Sequence, residues 1–134
     1  MIVVDTSAWV ELGRGTGSRV HQTLRARLTE DAELAVTEIV VMELLAGARS
    51  EPDEATVRDV LAGIPVLPLD GIIGFERAVE LYQACRRAGE TLRQLVDCLV
   101  AVPTIEHEAT LLTADRDFEI LARHTPLRLE RLDA

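Results

Sequence analysis

Four acidic residues interrupt or close apolar runs of this chain. Asp5 follows the run 2–4, Glu43 lies within 39–45, Asp97 within 95–100, and Asp115 comes directly after 111–114. A buried carboxylate without a partner costs several kcal/mol or shifts its pKa until it is neutral. The chain has no lysine, and no arginine lies within these four runs. The missing cation is therefore predicted to be a metal ion.

Oxygen-only ligands favour Mg²⁺ or Mn²⁺ over softer metals. In open α/β sheets, ligands bind beyond the C-terminal ends of the strands. Asp5, Asp115 and Asp117 follow predicted strands, while Glu43 and Asp97 are placed on helices, each about two turns past the helix start. Convergence of these acids at one edge would hold ions that activate a water molecule and stabilise phosphoryl oxygens.

Each acid also has a simpler interpretation. Asp5 and Asp115 are suitable helix N-caps, and Asp117 suits the first turn of a helix through the helix dipole. Glu43 can reach solvent from an amphipathic helix. Asp97 is the hardest to explain in this way, because its neighbours 96 and 98–100 are apolar in nearly every direction around a helix.

Short apolar strands alternate with helical segments along the whole chain. Strands are predicted at 2–4, 34–36, 66–69, 110–113 and, half-exposed, at 127–132; helices are predicted at 8–12, 20–28, 37–47, 50–63, 74–88, from 91 onward and at 115–123. The pattern Thr-Leu-Arg-Gln at 91–94 resembles a capping box that opens the helix of Asp97. This alternation predicts an α/β fold with a parallel sheet covered on both faces.

The composition indicates one ordinary domain, and its net charge is compatible with a nuclease. The 134 residues are 48% hydrophobic and only 3% aromatic, so the core must be aliphatic. A net charge of −9 argues against a protein that coats nucleic acid electrostatically. It does not exclude a nuclease, because a bound metal adds local positive charge.

The remaining metal-binding and targeting signals are weak. Cys85 and Cys98 lack ligand spacing and are expected to be reduced core residues. The three histidines form no H-x-x-H pair, which disfavours zinc. Without a basic leader or an apolar run of about 18 residues, we expect a cytoplasmic protein with no membrane contact.

Two other families whose activity depends on aspartate residues are disfavoured, because this chain lacks a residue that each of them requires. Haloacid-dehalogenase phosphatases need Asp-x-Asp after the first strand, and here the third residue is Ser7. Phosphoacceptor receiver domains have a similar length and topology, but they need a lysine that this chain does not contain.

Four segments together resemble PIN-domain ribonucleases, and most of all the VapC toxins of bacterial toxin–antitoxin pairs. The resemblance spans almost the whole chain, in order, and is carried by IVVDTSAW at 2–9, VMELLAG at 41–47, RAGETLRQLVDC at 87–98 and TADRDF at 113–118. Each motif is weak alone, and the four together are fairly specific.

The resemblance implies a single-domain α/β/α sandwich with a short, mostly parallel sheet. It implies endonucleolytic cleavage of structured RNA, such as tRNA or rRNA, with Mg²⁺ or Mn²⁺. It also implies a homodimer and a cognate antitoxin that blocks the site. By position, the acidic quartet is Asp5, Glu43, Asp97 and Asp115, Asp117 is an auxiliary metal ligand, and Thr6 or Thr113 orients metal-bound water.

Three features leave alternatives open. Pro103 lies in the helix after Asp97 and should kink or end it. Arg86, Arg87 and Arg93 flank Gly89 and either hold RNA phosphates or form a solvated helix end. The apolar residues 40, 41, 44 and 45 either line an antitoxin groove or pack in the core.

Two rival functions remain at this stage. One is a non-catalytic PIN-fold module that keeps its acids but works through protein contacts, against which the intact quartet argues. The other is a DNA-directed, structure-specific nuclease, which the absence of an inserted arch or DNA-binding module in 134 residues disfavours.

Overall fold

Five short parallel strands form the centre of the protein. In the computed structural model, which describes residues 1–134, the strands are β1 (Ile2–Val4), β2 (Leu34–Thr37), β3 (Val66–Leu67), β4 (Thr110–Leu112) and β5 (Arg128–Leu129). Their order is β3-β2-β1-β4-β5, and every neighbouring pair is parallel. The carboxyl ends of β1, β2 and β4 therefore lie at the same edge of the sheet.

Seven helices complete an α/β/α fold, as expected from the sequence. They are α1 (Thr6–Arg14), α2 (Arg19–Thr29), α3 (Glu38–Ala46), α4 (Glu51–Leu61), α5 (Gly71–Arg87), α6 (Val96–Glu106) and α7 (Asp117–His124). α1 packs against α2, and α5 packs against α6 and α7. No helix combines the length and the hydropathy needed to cross a bilayer.

The core is aliphatic and centred on β1 and β4. Val3, Val4, Leu111 and Leu112 are fully buried, as expected for strands covered on both faces. Cys85 and Cys98 are free and buried, which confirms their assignment to the core. Thr37 caps α3 through a 3.3 Å hydrogen bond from the amide of Val40, as its position at the end of β2 predicts.

The start of α6 differs from the sequence-based expectation. Residues 91–94 do not cap the helix, which begins at Val96 without a side-chain capping bond. Asp97 therefore lies in the first turn, and the prediction that it lies two turns in was wrong. Leu92, in the segment before α6, is 4% exposed and packs in the core. Tertiary packing here outweighs a local capping signal.

Other boundaries differ by a few residues. α5 begins three residues before the predicted Gly74, and α7 begins at Asp117 rather than at 115. Pro103 lies inside α6, which continues to Glu106, so the proline does not end the helix, and a kink at this point stays a prediction. The next residue, Thr104, donates its hydroxyl to the carbonyl of Val100 at 2.9 Å and is fully buried.

Candidate active site

Asp5 leaves β1 at the centre of the sheet and is held in place by hydroxyl groups. Its Oδ2 accepts hydrogen bonds from the hydroxyls of Ser7 at 2.6 Å and Thr113 at 2.9 Å. It also accepts the amide of Ser7 at 3.3 Å, so Asp5 is the N-cap of α1 as well as a site candidate. Burial raises the pKa of Asp5, and the bonds from Ser7 and Thr113 oppose that rise.

Ser7 joins the ends of β1 and β4, and sequence reasoning missed it. Its hydroxyl lies 3.1 Å from that of Thr113 and accepts the amide of Ala114 at 2.9 Å. The Thr113 hydroxyl in turn accepts the amide of Asp115 at 3.0 Å. These bonds fix Asp5 and Asp115 relative to one another. The available signal was a serine two residues after a strand-end aspartate, where side chains commonly close a turn.

Glu43 reaches the same region from α3. Its Oε1 accepts a 2.8 Å hydrogen bond from the hydroxyl of Thr6, the first residue of α1. Thr6 thus positions Glu43, while Thr113 positions Asp5. Both threonines donate to carboxylates in this structure, and the role of Thr6 or Thr113 in orienting metal-bound water stays a prediction.

Asp97 has the least favourable environment for a charged carboxylate of the five acids. It is 8% exposed, and its Oδ2 is buried without any hydrogen-bond partner. The pKa of Asp97 is raised to about 7, first by burial and then by repulsion from the other four acids, Asp115, Asp5, Asp117 and Glu43. The structure therefore brings all five predicted acids close enough to interact electrostatically around Asp97.

Asp115 and Asp117 share one cation. Asp115 Oδ1 accepts the amide of Asp117 at 2.9 Å, which fixes the turn that starts α7. Arg93 donates its Nε–H to Asp117 Oδ2 at 3.0 Å, and its terminal nitrogen lies 3.9 Å from Asp115 Oδ1. An arginine from outside the apolar runs thus supplies a counterion to two of the five acids, which the sequence did not indicate.

The other two arginines of the predicted RNA-binding set lie apart from the acids. Arg86 and Arg87 are exposed in the last turn of α5, where Arg86 stacks on the ring of Tyr82 at 5.7 Å. The structure shows no ion pair between either of them and an acid of the site. Of the three, only Arg93 is brought into the cluster.

The carboxylate oxygens of the five acids are ligands of the type that a hard divalent cation prefers. Their present positions do not form a complete coordination shell. No three acidic, histidine or cysteine side chains surround one point in ligand geometry. The orphaned Asp97 Oδ2 and the mutual repulsion of five oxygen donors nevertheless fit Mg²⁺ or Mn²⁺. Binding would have to draw these side chains together.

Two clefts border the cluster. One, of about 420 Å³, is lined by Thr6, Glu43, Arg14 and Asp53 among others. The second, of about 230 Å³, lies along Thr113, Asp115, Arg116 and Glu119. The first cleft reaches Glu43 and the second reaches Asp115, which are the two less buried acids of the cluster.

The chain is similar to known proteins over nearly its full length. The family model described as PIN domain matches residues 2–124. Ribonuclease VapC11 of Mycobacterium tuberculosis is 43% identical over 129 residues, which cover 96% of each chain.

Solved structures agree in fold. VapBC2 of Rickettsia felis, bound to a DNA fragment from its promoter, gives a TM-score of 0.75 at 22% identity and covers 99% of this chain and 100% of that one. The sarcin–ricin loop cleaving toxin VapC20 of Mycobacterium tuberculosis gives 0.65 at 18% identity, covering 96% and 99%. With these matches and the acid-lined strand ends, the chain belongs to the VapC ribonucleases of the PIN-domain family.

Proposed function

We propose that this chain is a Mg²⁺- or Mn²⁺-dependent endoribonuclease toxin that cleaves a structured RNA, either tRNA or rRNA, and is neutralised by a cognate antitoxin. The observation that carries the proposal is the buried, unpartnered Asp97 carboxylate with four further acids around it. The 43% identity to a ribonuclease supports RNA as the substrate. The fold similarity to a toxin that cleaves the sarcin–ricin loop supports a structured target.

Asp5, Glu43, Asp97, Asp115 and Asp117 are the side chains that would hold the metal. A divalent ion bound there supplies an activated water and stabilises charge on the phosphoryl oxygens. Ser7 and Thr113 hold Asp5 in one orientation, and Thr6 holds Glu43. These bonds reduce the rearrangement that is needed when the carboxylates converge on the ion.

The same geometry disfavours a purely protein-binding module. A buried carboxylate with an unsatisfied oxygen destabilises the fold, and an apolar residue of similar volume would remove that cost. A buried Asp97 is therefore expected in a protein that uses its carboxylate for metal binding and catalysis, and not in one that only binds other proteins.

We predict that cleavage by the purified chain, free of antitoxin, depends fully on a divalent metal. A structured RNA should be cut with Mg²⁺ or Mn²⁺ and remain intact with EDTA, because five acids without a bound ion repel a phosphate and cannot stabilise negative charge on its oxygens. Gel analysis of an end-labelled tRNA and of a sarcin–ricin hairpin would measure this. Cleavage that continues in chelator would contradict the metal mechanism.

We propose that the antitoxin binds an apolar groove beside the site. The apolar residues that line this groove are Trp9, Leu12, Leu44, Val57, Val60 and Leu61. Leu44 and Val57 also line the cleft that reaches Glu43, so a segment in this groove can extend to the carboxylates. Val40 is fully buried and belongs to the core instead.

A second apolar surface is proposed as the homodimer contact. On α5 the side chains of Ile72, Ile73, Phe75 and Val79 are 43–70% exposed, and residues 72, 75 and 79 recur at helical spacing on one face. Exposed apolar clusters of this kind commonly mark protein interfaces.

These two surfaces predict the assembly state. The purified chain should have the mass of a dimer in light scattering, and Phe75→Glu should shift it toward the monomer. The same variant should still bind the antitoxin encoded beside it, whereas Leu44→Glu should lose the antitoxin and remain dimeric. If Leu44→Glu dissociates the dimer and Phe75→Glu releases the antitoxin, then the two surfaces have been assigned the wrong way round.

A further inference from the structure

Arg93 forms a two-point contact with the acid cluster from an irregular segment. Its Nε–H donates to Asp117 Oδ2 at 3.0 Å, and its terminal nitrogen approaches Asp115 Oδ1 at 3.9 Å. The acids that it meets are 11% and 31% exposed, whereas the Arg93 side chain itself is 77% exposed. The guanidinium thus lies over the mouth of the cluster and is not buried in it.

The backbone that carries Arg93 is anchored by the residues directly before it. Glu90 pairs with Arg123 at 2.7 Å and with His124 at 2.5 Å, which ties the segment to α7. Leu92 is 4% exposed in the core, directly before Arg93. The position of Arg93 relative to α7 is therefore fixed, while its long side chain keeps the freedom to leave the acids.

The ion pair between Arg93 and the two aspartates is weak enough for another cation to replace the arginine. Ion pairs with a solvent-exposed partner contribute little, because water screens the charges and the side chain loses rotamer freedom. A divalent ion offers twice the charge in a compact form, and Asp117 and Asp115 belong to the carboxylates that would hold it. Two cations held by the same pair of carboxylates repel each other, so binding of the ion disfavours the arginine contact.

We propose that Arg93 is an internal counterion: it competes with the divalent metal for Asp117 and Asp115, and metal binding releases its guanidinium from them. The proposal rests on the metal site of the proposed function and adds a competitor for that site from within the chain. The released side chain remains at the mouth, where it can contact an RNA phosphate. Repulsion among the acids is thereby reduced while no metal is bound.

Direct Mn²⁺ titration, followed by the electron paramagnetic resonance signal of free Mn²⁺ and without RNA, tests the competition. Arg93→Gln should bind Mn²⁺ about two- to fivefold more tightly than the wild type, the range expected for loss of an exposed ion pair. Arg93→Lys keeps the charge and should stay close to the wild type. Arg116→Gln removes an equal charge between the same two aspartates, where no ion pair is formed, and should change affinity less. Thermal melting of each variant confirms that it is folded.

Release of the side chain has its own spectroscopic signature. The arginine Nε–H resonance of Arg93, assigned through its loss in Arg93→Lys, should shift during a titration with diamagnetic Mg²⁺. The proposal is overturned by any of three results: equal or weaker Mn²⁺ binding by Arg93→Gln, equal gains in Arg93→Gln and Arg116→Gln, or an unchanged Nε–H resonance at saturating Mg²⁺. A wild type that binds Mn²⁺ but cuts no RNA contradicts the proposed function alone, while one that binds no Mn²⁺ contradicts both.

Discussion

Asp97→Asn should lower the rate of RNA cleavage by about a hundredfold or more and relieve the growth arrest caused by induced expression. Asn keeps the shape of the side chain but removes the charge at the centre of the five acids. Loss of one principal electrostatic group in a catalytic site has an effect of this order. The measurements are single-turnover cleavage at saturating Mn²⁺ and growth after induction. An exposed acid on α4, replaced as Asp59→Asn, is the matched control and should change neither.

The same substitution should make the metal-free protein more stable at pH 8. The pKa of Asp97 in the fold is about 7, against roughly 3.9 in an unfolded chain, so the folded state binds this proton more tightly. The stability linked to it is fully present below about pH 4 and is lost as the pH rises through 7. We expect a gain of about 1–2 kcal/mol, less than the shift alone implies, because the buried amide of Asn also lacks a partner.

Melting in EDTA at pH 5 and pH 8 measures this effect, and the gain should be larger at pH 8. A loss of stability at pH 8 would mean that the Asp97 carboxylate makes a favourable contact in solution. A fully toxic Asp97→Asn would mean that Asp97 does not bind the metal.

Asp5 is a poorer choice for the same stability experiment. One oxygen of Asp5 accepts three hydrogen bonds from Ser7 and Thr113. An amide oxygen in the same place can accept these bonds, but more weakly than a charged carboxylate does. A change at Asp5 therefore mixes relief of repulsion with weakening of a cap, whereas Asp97 Oδ2 has no bond to lose.

The sequence predicted what depends on local pattern. The apolar run 2–4 and the later runs placed all five strands, and the parallel order of β1 and β4 brings Asp5 and Asp115 to the same edge. Thr37 and Gly47 were placed correctly at the two ends of α3, since capping is set by nearby residues.

What the sequence did not predict depends on contacts between distant residues. α6 begins at Val96, after a non-helical segment in which Leu92 is buried in the core, and no local pattern contains that tertiary contact. The pairing of Arg93 with Asp117 joins residues 24 positions apart and requires the packing of the 88–95 segment against α7. Arg93 approaches the acids from outside the apolar runs, so the composition of those runs gives no indication of it.

Asp115→Asn should reduce cleavage about a hundredfold or more, and Asp117→Asn only about tenfold. Asp115 Oδ1 is engaged with the amide of Asp117, which an Asn oxygen can still accept, and Oδ2 makes no hydrogen bond. The substitution thus keeps the turn and removes a charge that is open to a metal ion. Asp117 is paired with Arg93 until the ion displaces that side chain, so we expect its loss to lower metal affinity more than it lowers the rate with metal bound.

Single-turnover cleavage across a Mn²⁺ titration separates these two roles. Additional Mn²⁺ should restore most of the rate of Asp117→Asn, because a weaker site can still be filled by mass action. It should not restore Asp115→Asn, because the charge that acts on the bound ion is missing at any metal concentration. If Asp117→Asn is the more damaging change, and saturating Mn²⁺ leaves its rate low, then Asp117 is the direct ligand. Its contact with Arg93 would then mark the resting position of a metal-binding carboxylate, and Asp115 would serve chiefly to hold the start of α7.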